Sequence, residues 1–357
     1  PTVMASPFSP SHLLLGTYTR TTSKGVYRAP FDDRTGEVGP PECIIEAKNP
    51  TWLAWSPDHA NVYVTDAGLE GIKACGRDPA TGAWTVLNQQ ASGAGHPTHV
   101  VIDATGRMAI SANYGTGTVT SWPRLPDGTL GPVRTLIRHQ GSSINPDRQK
   151  EPHAHGVTLS PDNRFVFVPD LGTDKVMAYG LDHARAELTP HVHAFAPLPP
   201  GSGPRHLSFS PDGRHAYVIN EMGGTIASFA YDAREGRLTL LEVVPTLPSD
   251  FNGANKTAEV IVHPRGHVVY GSNRGHDSLV VFARDPATGL LTWLQTVPSG
   301  GRSPRHFDLS PDGRWLVALH EESNDGYVFR VDPATGQLER TNHHFQVPQP
   351  VCVLFGR

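Results

Sequence analysis

Gly203-Pro204-Arg205-His206-Leu207-Ser208-Phe209-Ser210-Pro211-Asp212-Gly213-Arg214, followed by Ala216-Tyr217-Val218-Ile219-Asn220-Glu221, reads as a buried strand, a tight Ser-Pro-Asp-Gly turn and a second strand ending in a polar pair. Versions of this stretch recur at residues 52–58, 99–107, 156–162, 260–266 and 307–314. The turn prolines Pro57, Pro161, Pro211, Pro264 and Pro311 set a period of about 50 residues. A second, acidic turn of the Asp-Pro-Ala-Thr-Gly kind alternates with it at Asp32, Asp78, Asp127, Asp182, Asp232, Asp285 and Asp332, seven copies in all. Four short β runs in a period of roughly 40 to 50 residues are the signature of a propeller blade. A two-sheet sandwich would leave both the period and the alternation unexplained. The expected fold is all-β, a single domain over 1–357 built as a seven-bladed β-propeller.

In the fourth repeat the expected strands are 207–209, 216–219, 225–231 and 238–244. The seventh repeat is split. Pro350-Val351-Cys352-Val353-Leu354-Phe355 reads as its first strand, while Leu13-Leu14-Leu15-Gly16-Thr17-Tyr18, 26–31 and 43–46 supply the other three. Joining the two ends of the chain in one blade closes the ring and removes two exposed sheet edges. Two segments break the period: 137–152, with Asn145-Pro146-Asp147, and 245–257, with Phe251-Asn252-Gly253-Ala254-Asn255. Each reads either as a binding loop or as a tolerated surface insertion.

Composition excludes several functions. Gly 36 and Pro 33 in 357 residues are too many breakers for long helices and suit short strands joined by tight turns. A net charge of -4, with no basic run interleaved with aromatics, argues against nucleic acid and anionic membrane as partners. Cys43, Cys75 and Cys352 lack metal-ligand spacing and cannot all pair, which fits a reducing cytoplasm. Residues 1–10 lack a basic start and an apolar core, and no apolar run of about 18 residues occurs anywhere. A cytoplasmic protein, monomeric or weakly self-associating, is expected.

In a propeller the first strand of each blade lines the central channel, and it begins at the face where the antiparallel second strand ends. Aligning the repeats on the Ser-Pro-Asp-Gly turn therefore places residues at one mouth by counting. The position of Arg205 holds Thr51, Thr98, His155, Ala258 and Arg305 in other blades, and the next holds Trp52, His99, Gly156, His206, Glu259 and His306. At the end of the second strand stand Asp66, Asn113, Asp170, Asn220, Asn273 and His320, followed by Ala67, Tyr114, Leu171, Glu221, Arg274 and Glu321. The Asp and Asn ring suits turn capping. Glu221, Arg274, Tyr114 and Glu321 share no turn chemistry. Three arginines, four histidines and two glutamates at one mouth suit a small anion, because guanidinium forks bind carboxylate or phosphate and stabilise oxyanions. Any single Arg–Glu pair reads equally as an inter-blade salt bridge.

His153-Ala154-His155 and His191-Val192-His193 have chelating spacing but no evident third ligand, so neither metal nor cofactor is expected. Gly115-Thr116-Gly117 and Gly223-Gly224 are turns with no following helix to cradle a phosphate, and no Gly-x-Ser-x-Gly elbow occurs.

At these residues the chain resembles the seven-bladed propeller lactonase family, which includes cycloisomerase-type 6-phosphogluconolactonases and 3-carboxy-cis,cis-muconate lactonizing enzymes. The resemblance runs over essentially the whole chain. It is carried by His155-Gly156, Pro204-Arg205-His206, Asn220-Glu221, Ala258-Glu259-Val260 and Ser272-Asn273-Arg274. It implies lactone chemistry with His155, Arg205, Arg274 and Glu221 as catalytic residues. Substrate contacts are expected from Arg305, His99, His206, Asn113, Tyr114, Asn220, Glu259, Asn273 and His306. Hydrolysis of a sugar-acid lactone comes first, muconate-type cyclisation second and a non-catalytic binding scaffold third. Whether His155 or Glu221 is the base stays open at this point.

Overall fold

The computed structural model describes residues 11–356; the expectation about residues 1–10 falls outside them. The described strands form seven four-stranded antiparallel sheets arranged as a seven-bladed β-propeller. The first blade runs Leu53–Trp55, Asn61–Asp66, Gly71–Arg77 and Trp84–Ala91, and the fourth Pro204–Phe209, His215–Asn220, Thr225–Asp232 and Arg237–Pro245. The last blade is the split one: Pro350–Gly356 pairs with His12–Thr17, which continues through Gly25–Pro30 to Glu42–Glu46. Among the described residues no helix is long and apolar enough to cross a membrane.

The core lies between blades. Seven apolar clusters each straddle one blade–blade interface, so every sheet buries both faces and its middle strands lose the apolar–polar alternation of a half-exposed sheet. The two turn types meet across these interfaces. Tyr63, Tyr217 and Tyr270, each on a second strand, donate their hydroxyls to Gly128, Gly289 and Gly336 in the acidic turn of the next blade, at 2.7, 2.8 and 2.6 Å. Trp315 makes the corresponding bond to the Asp33 carbonyl, at 2.8 Å, across the sixth interface. Each acidic turn is held by its own aspartate, as when Asp332 accepts from the backbone N–H groups of Ala334 and Thr335.

The innermost strand of the fourth blade begins at Pro204, three residues before the expected start. Pro204 pairs with Asn220 and His206 with Ile219, which leaves Arg205 as the extra residue of a β-bulge. The sixth blade repeats this at Arg305, and the fifth has a register shift between Thr257 and Val260. A bulge breaks strand alternation, so two consecutive side chains can turn toward the channel.

Ring closure by Pro350–Gly356 predicts that deleting residues 347–356 uncovers the clusters on both sides of the last blade. The cooperative unfolding transition of the whole protein, followed by calorimetry, should be lost or shifted down by more than about 10 °C. An unchanged transition would show that the terminal strand is dispensable.

Candidate functional site

The mouth is organised by one carboxylate. Glu221 immediately follows the second strand of the fourth blade, His215–Asn220, and is 4% exposed. Its Oε2 lies 3.0 Å from Arg274 Nη2 and 3.2 Å from Arg205 Nε, while its Oε1 accepts from Arg148 Nη2 at 2.9 Å. Burial alone would raise its pKa, but Arg274, Arg205 and Arg148 outweigh burial and bring it to about 2, so the group is ionised at any physiological pH. Arg205 is pushed down to about 9 by burial and by Arg274 and Arg305, which still leaves it protonated. Its Nη1 donates to the Ala258 carbonyl at 2.6 Å, and Arg274 Nη2 donates to the Thr257 carbonyl at 2.9 Å. Backbone at the end of the second insertion thus aims both guanidiniums.

His155 stands beside this cluster, with Nε2 4.0 Å from Glu221 Oε2 and Nδ1 buried without a hydrogen-bond partner among the described residues. Burial first, then Arg205, holds its pKa well below 6.5, so the imidazole is neutral. Gly156 is needed next to it, because a Cβ there would stand 2.9 Å from the Arg205 carbonyl oxygen. A small cavity opens among Thr51, Thr98, His155, Arg205, Arg305 and Val351. Arg305 Nη1 is paired with Glu321 Oε2 at 3.1 Å, and its guanidinium lies 5.0 Å from the centre of the Tyr18 ring.

Sequence counting gathered nine residues in one layer; the structure divides them into two. His99, His206, Glu259 and His306 lie one residue deeper than the arginines and form a plug with Trp52. Glu259 Oε2 accepts from His206 Nδ1 at 2.8 Å and from His306 Nε2 at 3.2 Å. The Val353 N–H donates to His306 Nδ1 at 3.1 Å, which fixes the hydrogen of that ring on Nε2. Trp52 stacks on His99 at 3.8 Å. Burial raises the pKa of Glu259 and lowers those of the three histidines. Trp52, His206 and His306 also line a wider vestibule that reaches Asp308 from the opposite face, so this layer separates the two ends of the channel.

Asn113, Asn220 and Asn273 are not brought to the cavity. All three are fully buried, and their amide N–H groups are spent inside the fold: Asn113 on Thr118 and Thr120, Asn220 on Thr225, Asn273 on Thr246 and Ser278. Tyr114 is at the mouth, its ring stacked on His153 at 4.5 Å and its hydroxyl accepting from Arg148 Nη2 at 3.0 Å. His153 is turned away from His155 by that stack and by a bond from its Nδ1 to the Tyr114 carbonyl. His193 pairs with Glu235 on the outer edge of the ring. Among the described residues no group of three His, Cys, Asp or Glu is placed to hold a metal.

Arg148 escaped sequence counting because it comes from the 137–152 insertion, which has no register with the repeats. Its signal was indirect: a polar insertion immediately before the strand that carries His155.

A family model described as "Lactonase, 7-bladed beta-propeller" matches residues 12–355. The chain is 33% identical to the 6-phosphogluconolactonase of Bacillus subtilis over 344 residues, 96% of this chain and 97% of that one. The periplasmic gluconolactonase of Pseudomonas aeruginosa superposes with a TM-score of 0.91 at 35% identity, covering 97% of this chain and 99% of that one. A protein from Lactobacillus plantarum does so with a TM-score of 0.90 at 32% identity, covering 98% and 100%.

Removing the carboxylate should strand three guanidiniums, so Glu221→Ala is expected to destabilise the protein by about 3 kcal/mol at pH 7. The folded pKa lies below the ordinary value of 4.5, so this contribution is complete above pH 4.5 and fades as pH falls toward about 2. Urea titrations of both proteins at pH 7 and pH 3 check this: the difference should shrink at pH 3. An equal difference at both pH values would place the effect in packing rather than charge.

Proposed function

The chain belongs to the seven-bladed β-propeller lactonase family, and on that premise we propose that it is a hydrolase opening a sugar-acid lactone, 6-phosphogluconolactone or a related aldono- or uronolactone. The observation that carries this reading is the charge of the mouth. Arg148, Arg205 and Arg274 surround the single carboxylate Glu221, so the buried cluster holds surplus positive charge beside a cavity that reaches a neutral imidazole. Such a site attracts an anion and stabilises the negative charge that develops on a carbonyl oxygen under attack.

In this mechanism His155 takes a proton from water as the water oxygen adds to the lactone carbonyl. Arg205 and Arg274 hold the tetrahedral oxyanion, and Glu221 keeps the two guanidiniums in place. Collapse expels the ring oxygen, which takes the proton back from His155 and leaves the hydroxy acid. A depressed pKa makes His155 a weak base but a strong acid once charged, which favours the second step, protonation of an alkoxide. Glu221 is the poorer base, because three arginines hold it at about 2 and occupy both its oxygens. The named relatives are lactonases, which favours hydrolysis over cyclisation and sets the scaffold reading aside.

A lactone panel followed by acid release, alongside muconate absorbance, separates the two reactions; acid release without an absorbance change is expected. His155→Ala should lower kcat by at least about a hundredfold, and near-normal turnover would remove His155 from the mechanism. The free-enzyme pH profile supplies a second check. Because the folded His155 pKa lies below 6.5 and that of Arg205 is about 9, kcat/KM should be level between pH 6.5 and 8, fall on the acid side as His155 is protonated, and fall again as Arg205 loses its proton. A rate that climbs between pH 6.5 and 8, after subtraction of spontaneous opening, would point to a different base.

A further inference from the structure

We propose that the groove between the two insertions is a subsite for a second anionic group on the substrate, remote from the lactone ester and held by Arg148 and Lys256. The inference rests on lactone hydrolysis at the Glu221 mouth and names the substrate class: lactones that carry a terminal phosphate or carboxylate.

The groove is lined by Ile144, Asn145, Pro146, Arg148, Met222 and Lys256. It adjoins the mouth through one carboxylate: Glu221 accepts a hydrogen bond from Arg148 at Oε1 and is ion-paired with Arg205 and Arg274 through Oε2. Arg148 reaches both of its acceptors, Glu221 and the Tyr114 hydroxyl, with Nη2 alone. Among the described residues its Nε and Nη1 donors have no acceptor, and the side chain keeps 31% of its surface open. That free edge is the half of a guanidinium fork that matches two oxygens of a carboxylate or phosphate.

The loop is built to hold Arg148 still. Asn145 Oδ1 accepts from the backbone N–H groups of Asp147 and Arg148, at 2.9 and 3.0 Å. Fully buried Gln149 ties the same turn to the Leu171 carbonyl and to Asp174 Oδ1, each at 2.8 Å. Across the groove the exposed Lys256 has no carboxylate partner among the described residues, while its backbone carbonyl accepts from Arg274 Nε at 3.3 Å. One residue therefore fixes a catalytic arginine with its backbone and presents an unpaired ammonium with its side chain. Glu221 cannot neutralise that ammonium, because both its oxygens are already taken.

The test uses the product acids as probes, so that binding is read without turnover. Gluconate, glucarate and 6-phosphogluconate are titrated by calorimetry into the wild type, Lys256→Ala and Arg148→Gln, and kcat/KM is measured on gluconolactone and 6-phosphogluconolactone. The wild type should bind at least one of the two acids that carry a second anionic group about tenfold more tightly than gluconate, and whether that is glucarate or 6-phosphogluconate distinguishes a carboxylate from a phosphate. Lys256→Ala should cut the preference at least about fivefold, and Arg148→Gln should cut it further. Equal affinity of the wild type for all three acids, or an equal loss for all three in Lys256→Ala, overturns the subsite. Lactones opened with equal efficiency whether or not they bear the second anion would overturn the subsite and leave hydrolysis standing. A binding preference that holds in a protein opening no lactone would support the subsite and overturn hydrolysis.

Discussion

Three guanidiniums share one buried mouth because the carboxylate of Glu221 lies among them. Without it Arg205 and Arg274, both drawn toward the channel axis, would face each other across a space with little water to screen them. Burial works against the carboxylate as well, and its pKa near 2 measures how far the arginines overcome that cost. The balance is incomplete by design of the residue count: one negative charge cannot satisfy three positive ones. That surplus positive charge is what the proposed reading uses, since a small anion would offset it.

Convergence on that point is a property of the ring and of its irregularities together. A regular strand would send Arg205 inward and His206 into an interface between blades. The bulge at Arg205 admits both, with the arginine at the mouth and the histidine one layer down on Glu259. The lower layer is closed by Trp52, His99, His206 and His306, which stand between the cavity at the mouth and the vestibule of the opposite face. The floor of the mouth consists of imidazoles whose pKa values burial holds below 6.5 and of Glu259, whose pKa burial raises.

Turn chemistry made most of this architecture legible before any coordinates. The Ser-Pro-Asp-Gly turn and the acidic turn are local, and each states where a strand pair ends, so the blade period, the split last blade and the placement of Arg205, Glu221, Arg274 and His155 at one mouth all followed from counting. Depth did not follow, because alternation predicts facing only where strands are regular and the innermost strands of the fourth, fifth and sixth blades bulge next to Arg205, Glu259 and Arg305. Nor did counting show which polar residues are spent within the fold. Asn113, Asn220 and Asn273 occupy the same register as the mouth, but their amide N–H groups are consumed by threonine and serine hydroxyls that lie five or more residues away in sequence. Arg148 was invisible for the opposite reason, being anchored by a loop whose hydrogen bonds are not periodic.

Seven nearly equivalent blades thus support a site that is not symmetric. Arg205, Arg274 and Arg305 come from three consecutive blades, the fourth to the sixth, and Arg148 from the loop leading into the third. The first and second blades contribute Thr51 and Thr98 to the same cavity. One wall is cationic and the facing wall carries neutral hydroxyls, so the field across the cavity points from the fourth and fifth blades toward the first and second. His155 lies on the third blade, at the junction of the two walls. Repetition supplies the rigid positions at the start of each strand, and the chemistry depends on those positions being filled differently from one blade to the next.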